Sequence, residues 1–259
     1  MLIENIALGL VQGLTEFLPV SSSGHLFLFG NLFGINISLS AAVWFHFATL
    51  FVVIVYLRKD WYDILKGTLS FKKDYWRSIL VIITATLPAA IFGFFISSFI
   101  DSTFGNTPSI AINLVITGII MFISDYLPDR TEKKVPIRSN PYGTISYRNA
   151  LIIGLFQAVA VLPGISRSGL TLFGCLLVGL SRETAFRFSF LLSIPVILGS
   201  SILELRGFSL SFEPIVGFGV AILAGWFALW VIKKMTLNSK LKYFGIYCWL
   251  IAILAIVIQ

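Results

Sequence analysis

Long apolar runs separated by short polar segments dominate this chain. The runs at 41–57, 79–100, 109–127, 188–203, 214–232 and 244–258 approach the roughly 20 apolar residues that a helix needs to cross hydrocarbon. Pro88 inside the second run predicts a kink. Two other apolar regions break the pattern. Residues 2–34 are interrupted by Asn5, Gln12, Thr15 and Glu16, and then by Pro19-Val20-Ser21-Ser22-Ser23-Gly24-His25. Residues 150–180 are two short arms around Pro163-Gly164-Ile165-Ser166-Arg167-Ser168-Gly169-Leu170-Thr171. No arm of either region is long enough to span.

Composition and charge turn this pattern into a topology. The chain is 57% hydrophobic and only 12% charged, whereas a soluble domain carries about 25% charged residues. This reads as a polytopic membrane protein. The bases cluster in 58–78 (Arg58, Lys59, Lys66, Lys72, Lys73, Arg77), 128–149 (Arg130, Lys133, Lys134, Arg138, Arg148), 181–187 (Arg182, Arg187) and 233–243. The positive-inside rule places these four loops in the cytoplasm. Segments 101–108, without a base, and 204–213, with Arg206 alone, then lie outside. A net charge of +7 held in loops points to an anionic leaflet rather than nucleic acid. Cys175 and Cys248 lack metal-ligand spacing, and no disulfide is expected. The basic start and cleavage site of a removable signal peptide are also missing.

Both ends of 150–180 are cytoplasmic by this count, so that segment enters the membrane and returns. Residues 1–40 read as a second re-entrant hairpin, starting and ending outside. The two hairpins are alike. A shift of 145 positions lays Gly9, Leu10, Gln12, Ser21, Ser23, Gly24, Leu32 and Gly34 on Gly154, Leu155, Gln157, Ser166, Ser168, Gly169, Leu177 and Gly179. Three spans follow each hairpin, an odd number, so the two units have opposite orientation. The expected fold is an all-α polytopic membrane protein of about six transmembrane helices and two re-entrant helical hairpins, arranged as an inverted repeat. It forms a single integral-membrane domain over 1–259, with repeat 1 at about 1–127, a loop at about 128–149 and repeat 2 at about 150–259.

The two tips carry the chemistry. An arginine at bilayer depth needs protein, water or an anion beside it, and the planar fork of Arg167 suits phosphate. Ser166, Ser168 and Thr171 add hydroxyls, while Gly164 and Gly169 allow backbone N–H groups to come close. Gln12 and Glu16 are spaced i, i+4 and share a helical face. A carboxylate and an amide carbonyl there could hold Mg²⁺ or Ca²⁺. His25 can act as base, acid or nucleophile, and Ser22 as a nucleophile with a base in reach. These are the parts of a metal-assisted phosphoryl-transfer site. Blander roles compete with each of them. Ser21 and Ser23 read as helix caps, and Glu16 or His25 could pair structurally. His46 divides between a core hydrogen bond and a place near the site. Asp125 reads as interfacial, and Trp61, Tyr62 and Trp76 as an aromatic belt.

With these residues in view, the chain resembles the bacitracin-resistance type undecaprenyl-diphosphate phosphatases. Gln12-Gly13-Leu14-Thr15-Glu16 matches that family's (E/Q)xxxE motif and Ser21-Ser22-Ser23-Gly24-His25 its SS-x-GH run. Pro163 to Thr171 matches PGxSRSxxT. His46-Phe47-Ala48-Thr49-Leu50 and the Ser189 to Pro195 run are weaker likenesses. The resemblance implies hydrolysis of undecaprenyl diphosphate with a divalent cation, recycling the lipid carrier of cell-wall glycans. It places the protein in the cell inner (plasma) membrane with the site opening toward the outer face. It assigns catalysis to Glu16, Ser22, His25 and Arg167. Phosphate binding falls to Ser166, Arg167, Ser168, Gly169 and Thr171, and metal binding to Glu16 and Gln12. Either Ser22 or His25 could attack phosphorus, and Ser22 with His25 as its base is the preferred order. Gln12 stands where a second glutamate is common, and Ala48 where glycine is usual. Expected partners are the polyprenyl diphosphate lipid, membrane lipids and a second copy of the chain. The competing reading is a carrier or flippase for a phosphorylated polyprenyl lipid, since inverted repeats with broken helices are a transporter architecture. An acid-phosphatase type of lipid phosphatase is excluded by the lack of any Arg-Pro dipeptide.

Overall fold

A computed structural model describes residues 2–35, 39–129, 140–204 and 212–257, and all regular structure among them is helical. In chain order the helices are α1 Leu2–Phe17, α2 Ser22–Phe33, α3 Leu39–Tyr56, α4 Arg58–Leu69, α5 Lys73–Phe104 and α6 Thr107–Ser124. A 3-10 turn at Pro141–Thr144 precedes α7 Tyr147–Val159, α8 Arg167–Leu177, α9 Arg182–Glu204, α10 Phe212–Leu237 and α11 Lys242–Val257.

Among the described residues, three stretches are long and apolar enough to cross a membrane: Lys73–Phe95, Thr107–Ser124 and Glu213–Leu237. They coincide with three of the six expected spans. Two other expected spans fall on shorter apolar helices, Val43–Tyr56 and Lys242–Val257, and the run at 188–203 falls within α9. Large apolar side chains cover the outside, among them Phe94, Phe95, Leu223, Leu250 and Ile253. A soluble monomer rarely exposes so much apolar surface. This is a membrane protein.

The helices pack in pairs. Helix α1 lies on α10 and α7 on α5, α3 lies on α9, and α6 on α11. Small residues bring the partners close. A Cβ on Gly9 would stand 2.2 Å from the Gly217 carbonyl oxygen, and one on Gly245 would stand 2.5 Å from that of Gly118. Apolar helices in lipid gain little from hydrophobic burial against each other, so such close packing is what holds them together. A buried cluster of Phe17, Val52, Val81, Ile153, Leu172, Phe186 and Leu229 joins elements from both halves of the chain.

Two polar stretches differ from expectation. Residues 58–78 read as a loop, yet most of them are helical. Helix α4 turns Ile64 and Gly67 inward and packs on α5, so its few apolar residues sit on one face while its charges stay wet. Segment 101–108 also read as a loop. Helix α5 instead runs to Phe104, and Asn106 caps α6 by accepting from the Ser109 N–H at 3.0 Å. Asp125 likewise caps a helix, since its carboxylate accepts the backbone N–H groups of Leu241 and Lys242 at 2.9 Å each. Buried Arg182 donates to the carbonyls of Asp125, Leu127 and Thr236 and ties three helix ends together. Arg130, Lys133, Lys134 and Arg138, together with Arg206, lie outside the described residues.

Candidate active site

Both broken apolar regions fold as helix–turn–helix. Helix α1 ends at Phe17 and α2 starts at Ser22; α7 ends at Val159 and α8 starts at Arg167. Ser21 caps α2 through the Gly24 N–H, and Ser166 caps α8 through the Gly169 N–H, each at 3.2 Å. The caps set where each second arm begins. That places Ser22 and Arg167 in the first turns, where helix dipoles favour negative charge.

The two turns touch. Ser168 Oγ donates to the Leu18 carbonyl at 3.4 Å, and a Cβ on Gly169 would come within 3.1 Å of Pro19. Helix α6 braces the second turn from behind. Asn113 Nδ2 donates to the Pro163 carbonyl at 2.6 Å, and Thr117 Oγ1 donates to the Gly164 carbonyl at 3.2 Å. Gly164 has φ +90°, and a Cβ there would meet the Ile110 carbonyl oxygen at 2.8 Å. Only glycine fits that turn against α6.

Glu16 is the meeting point. Its Oε1 accepts from Arg167 Nη2 at 2.6 Å. Its Oε2 accepts from Gln12 Nε2 at 2.9 Å and from Ser22 Oγ at 2.8 Å. His46 Nε2 stands 3.5 Å from the same oxygen. Glu16 is 8% exposed and Gln12 is fully buried, so these bonds form in a dry setting where charge interactions are strong. Two buried atoms beside the carboxylate have no hydrogen-bond partner: Gln12 Oε1 and Arg167 Nη1. One is an acceptor and the other a donor. A buried group left unpaired costs about 1–3 kcal/mol, a penalty that a bound phosphate or cation would relieve.

His25 is held elsewhere. Its Nδ1 donates to the Ser21 carbonyl at 2.8 Å. The neutral ring then accepts at Nε2, which lies 2.9 Å from the Tyr247 hydroxyl. The Tyr247 ring stacks on the imidazole at 5.6 Å and 6°. Ser21 adopts φ +70°, an unusual backbone for a non-glycine residue. The Ser22 hydroxyl thus donates to Glu16, while the hydrogen bonds of His25 go to Ser21 and Tyr247. Helix α3 brings His46 to the same carboxylate.

The second turn contributes mainly Arg167. Ser166 Oγ is occupied as the cap and lies 3.2 Å from Ser168 Oγ. Thr171 Oγ1 donates to the Arg167 carbonyl at 2.8 Å and also pairs with Ser189 Oγ. These hydroxyls and Gly169 build the turn that presents Arg167. Asn113, Thr117 and Tyr247 were not singled out in the sequence. They sit on spans far away along the chain, and no motif marks them.

Glu16 and Gln12 suit a divalent cation only with oxygen from a ligand. Among the described residues, no three His, Cys, Asp or Glu side chains gather into a metal cluster. Mg²⁺ is commonly held by one or two carboxylates, phosphate oxygens and water, and the unpaired Gln12 carbonyl beside Glu16 fits that pattern.

The family described as bacitracin resistance protein BacA matches residues 5–254. The chain belongs to the BacA family. A protein of Thermosipho africanus named undecaprenyl-diphosphatase is 48% identical, covering 97% of this chain and 98% of the relative. Proteins of the same name from Thermosipho melanesiensis and Methanococcus vannielii are 43% and 44% identical, each covering 98% of both chains. BacA is a phosphatase family, and the Glu16 cluster is built from residues suited to that chemistry.

Proposed function

We propose that the protein hydrolyses undecaprenyl diphosphate to undecaprenyl phosphate and inorganic phosphate. In the cell this recycles the lipid carrier for cell-wall glycan synthesis and confers resistance to bacitracin. The observation that carries the reading is the Ser22 hydroxyl donating to a carboxylate that also holds Arg167. The names of the relatives supply the substrate.

In this reading Ser22 Oγ attacks the terminal phosphorus and its proton passes to Glu16 Oε2. The bond from that phosphorus to the bridging oxygen breaks, and undecaprenyl phosphate leaves with the electron pair. Arg167 Nη1 meets the charge that develops on the phosphoryl oxygens. His46 keeps Glu16 oriented. Water then attacks the phosphoserine: its proton passes to His25 Nε2 as the Tyr247 hydroxyl turns aside, the Ser22 Oγ–phosphorus bond breaks, Ser22 Oγ takes back the proton held on Glu16, and inorganic phosphate leaves. A divalent cation held by Glu16 and the Gln12 carbonyl would offset the charge of the diphosphate.

The membrane arrangement follows the same reading. The protein sits in the plasma membrane as an inverted repeat of two re-entrant hairpins, its basic loops in the cytoplasm and its site open to the outer face. The exchanged packing of α1 on α10 and α7 on α5 supports the repeat. So do Gly34 and Gly179, both left-handed at the ends of the second arms. The same packing favours a carrier as a second reading. Glu16 beside Ser22 argues for the phosphatase, because anion transport has little use for a carboxylate at a phosphate cradle.

The test is phosphate release from undecaprenyl diphosphate by the purified protein in detergent, with and without EDTA. Release that EDTA stops and Mg²⁺ or Ca²⁺ restores supports this function. A folded sample that binds the lipid but releases no phosphate overturns it and leads to a flipping assay in liposomes.

A further inference from the structure

A cavity of about 260 Å³ opens where α3 meets α4, between α9 and α10. Tyr56, on its wall, lies ten residues beyond His46 on α3, or about 15 Å at 1.5 Å per residue. The cavity is thus separate from the Glu16 cluster.

Its lining has two parts. Tyr56, Phe186 and Trp226 form an aromatic side, with Tyr56 edge-on to Trp226 at 5.7 Å and to Phe186 at 6.2 Å. Trp226 is 44% exposed on the outer face of the bundle. The other side is basic, with Arg58, Lys59, Arg187 and Lys233 against the single acid Asp60.

Asp60 is already engaged. It pairs with Arg187 at 3.1 Å and accepts from the Tyr142 hydroxyl. Arg58, Lys59 and Lys233 have no carboxylate partner among the described residues, so three positive charges face the cavity uncompensated. Arg58 also opens α4, and its N-cap Leu57 makes no side-chain capping bond. The helix dipole therefore adds to the positive field. Unpaired cations at one mouth would repel each other unless an anion joined them.

We propose that this cavity is a second anion site, which takes the phosphate group of a lipid headgroup or free phosphate. Basic pockets between membrane helices hold anionic headgroups in this way. The volume is below the roughly 300–1,000 Å³ of sites that enclose a whole drug-sized ligand. It suits a headgroup whose tail passes Trp226 into the bilayer.

The test is native mass spectrometry of the purified full-length protein in detergent, titrated with phosphatidylglycerol, phosphatidylcholine or sodium phosphate. The wild type is expected to retain phosphatidylglycerol in preference to phosphatidylcholine. The variant Arg58→Gln/Lys59→Gln/Lys233→Gln should lower that retention by about tenfold or more, given the contribution of each base to anionic-lipid binding. A control, Lys72→Gln/Lys73→Gln/Lys240→Gln, removes three bases elsewhere and should retain the lipid. Should the triple variant melt early, Lys59→Gln alone reports a smaller loss of the same kind. Displacement of the lipid by sodium phosphate, or retention of phosphate itself, supports the site and assigns free phosphate as an occupant. Equal retention by the pocket variant and the wild type overturns the proposal. So does an equal loss in the pocket and control variants, or retention of neither ligand by the wild type.

Discussion

Arg167 and Glu16 stand 151 positions apart in sequence, yet Arg167 Nη2 lies 2.6 Å from Glu16 Oε1. The pair locks the first turn to the second and leaves Arg167 Nη1 unpaired. Arg167→Ala would leave a buried carboxylate without its cation, a change that costs about 3–5 kcal/mol. The expected result is a lower melting temperature and loss of phosphate release. Adding Glu16→Gln to that variant should recover most of the stability and none of the activity. Thermal melting of both single variants and the double variant measures the coupling; additive losses would mean the pair is not coupled.

Glu16→Gln alone removes the carboxylate that accepts from Ser22, the base of the proposed reaction. Turnover should fall by about 10²–10⁴-fold, the usual contribution of general acid–base catalysis. Ser22→Ala should be inactive while still folding, because Ser22 is only half-buried. A phosphoenzyme trapped by acid quench from the wild type, and absent from Ser22→Ala, would identify the nucleophile. A trapped phosphohistidine would move that role to His25.

Gln12→Glu places a second carboxylate next to Glu16. Without metal, the two like charges should lower the melting temperature. Mg²⁺ or Ca²⁺ should restore it, and half-maximal activity should come at lower metal concentration than in the wild type. Metal titrations of both melting and activity check this. The absence of a shift in either would remove Gln12 from the metal site.

Gly164→Ala tests the bracing of the second turn. A Cβ at φ +90° would press on the Ile110 carbonyl and on Asn113. The expected loss is more than about 1 kcal/mol, read by thermal unfolding, with a fall in activity as Arg167 moves. Asn113→Ala frees the Pro163 carbonyl and should show the same two effects in milder form.

Tyr247→Phe keeps the ring stacked on His25 but removes the hydroxyl 2.9 Å from Nε2. One hydrogen bond of about 1 kcal/mol corresponds to a loss of roughly fivefold in turnover. Stability should change little, since Tyr247 is 40% exposed. Unchanged turnover would show that the contact does not position His25.

Much of the helical layout was legible in the chain because its signals are local. A run of apolar residues, a proline or glycine at a break and a serine before a helix each act within a few positions. Those signals mark both turns, the Ser21 cap and the Gln12–Glu16 face. The α4 helix was missed because its charges hide a narrow apolar face, with Ile64 and Gly67 packed on α5. Spacing alone could have found it, since those positions recur at helical period.

Pairing between distant elements was not legible, because no local rule governs it. Nearness of Ser22 and His25 in sequence does not say which way either side chain points. Packing turns His25 to Tyr247 on α11 and brings His46 on α3 to Glu16. Asn113 and Thr117 look like ordinary polar residues of an apolar span until α6 is set behind the second turn. Residue type and periodicity decide which chemistry is present and which helices carry it. The direction of each side chain depends on which helices pack together. In lipid that is decided by close fit between surfaces such as Gly9 against Gly217, contacts that arise only once the chain has folded.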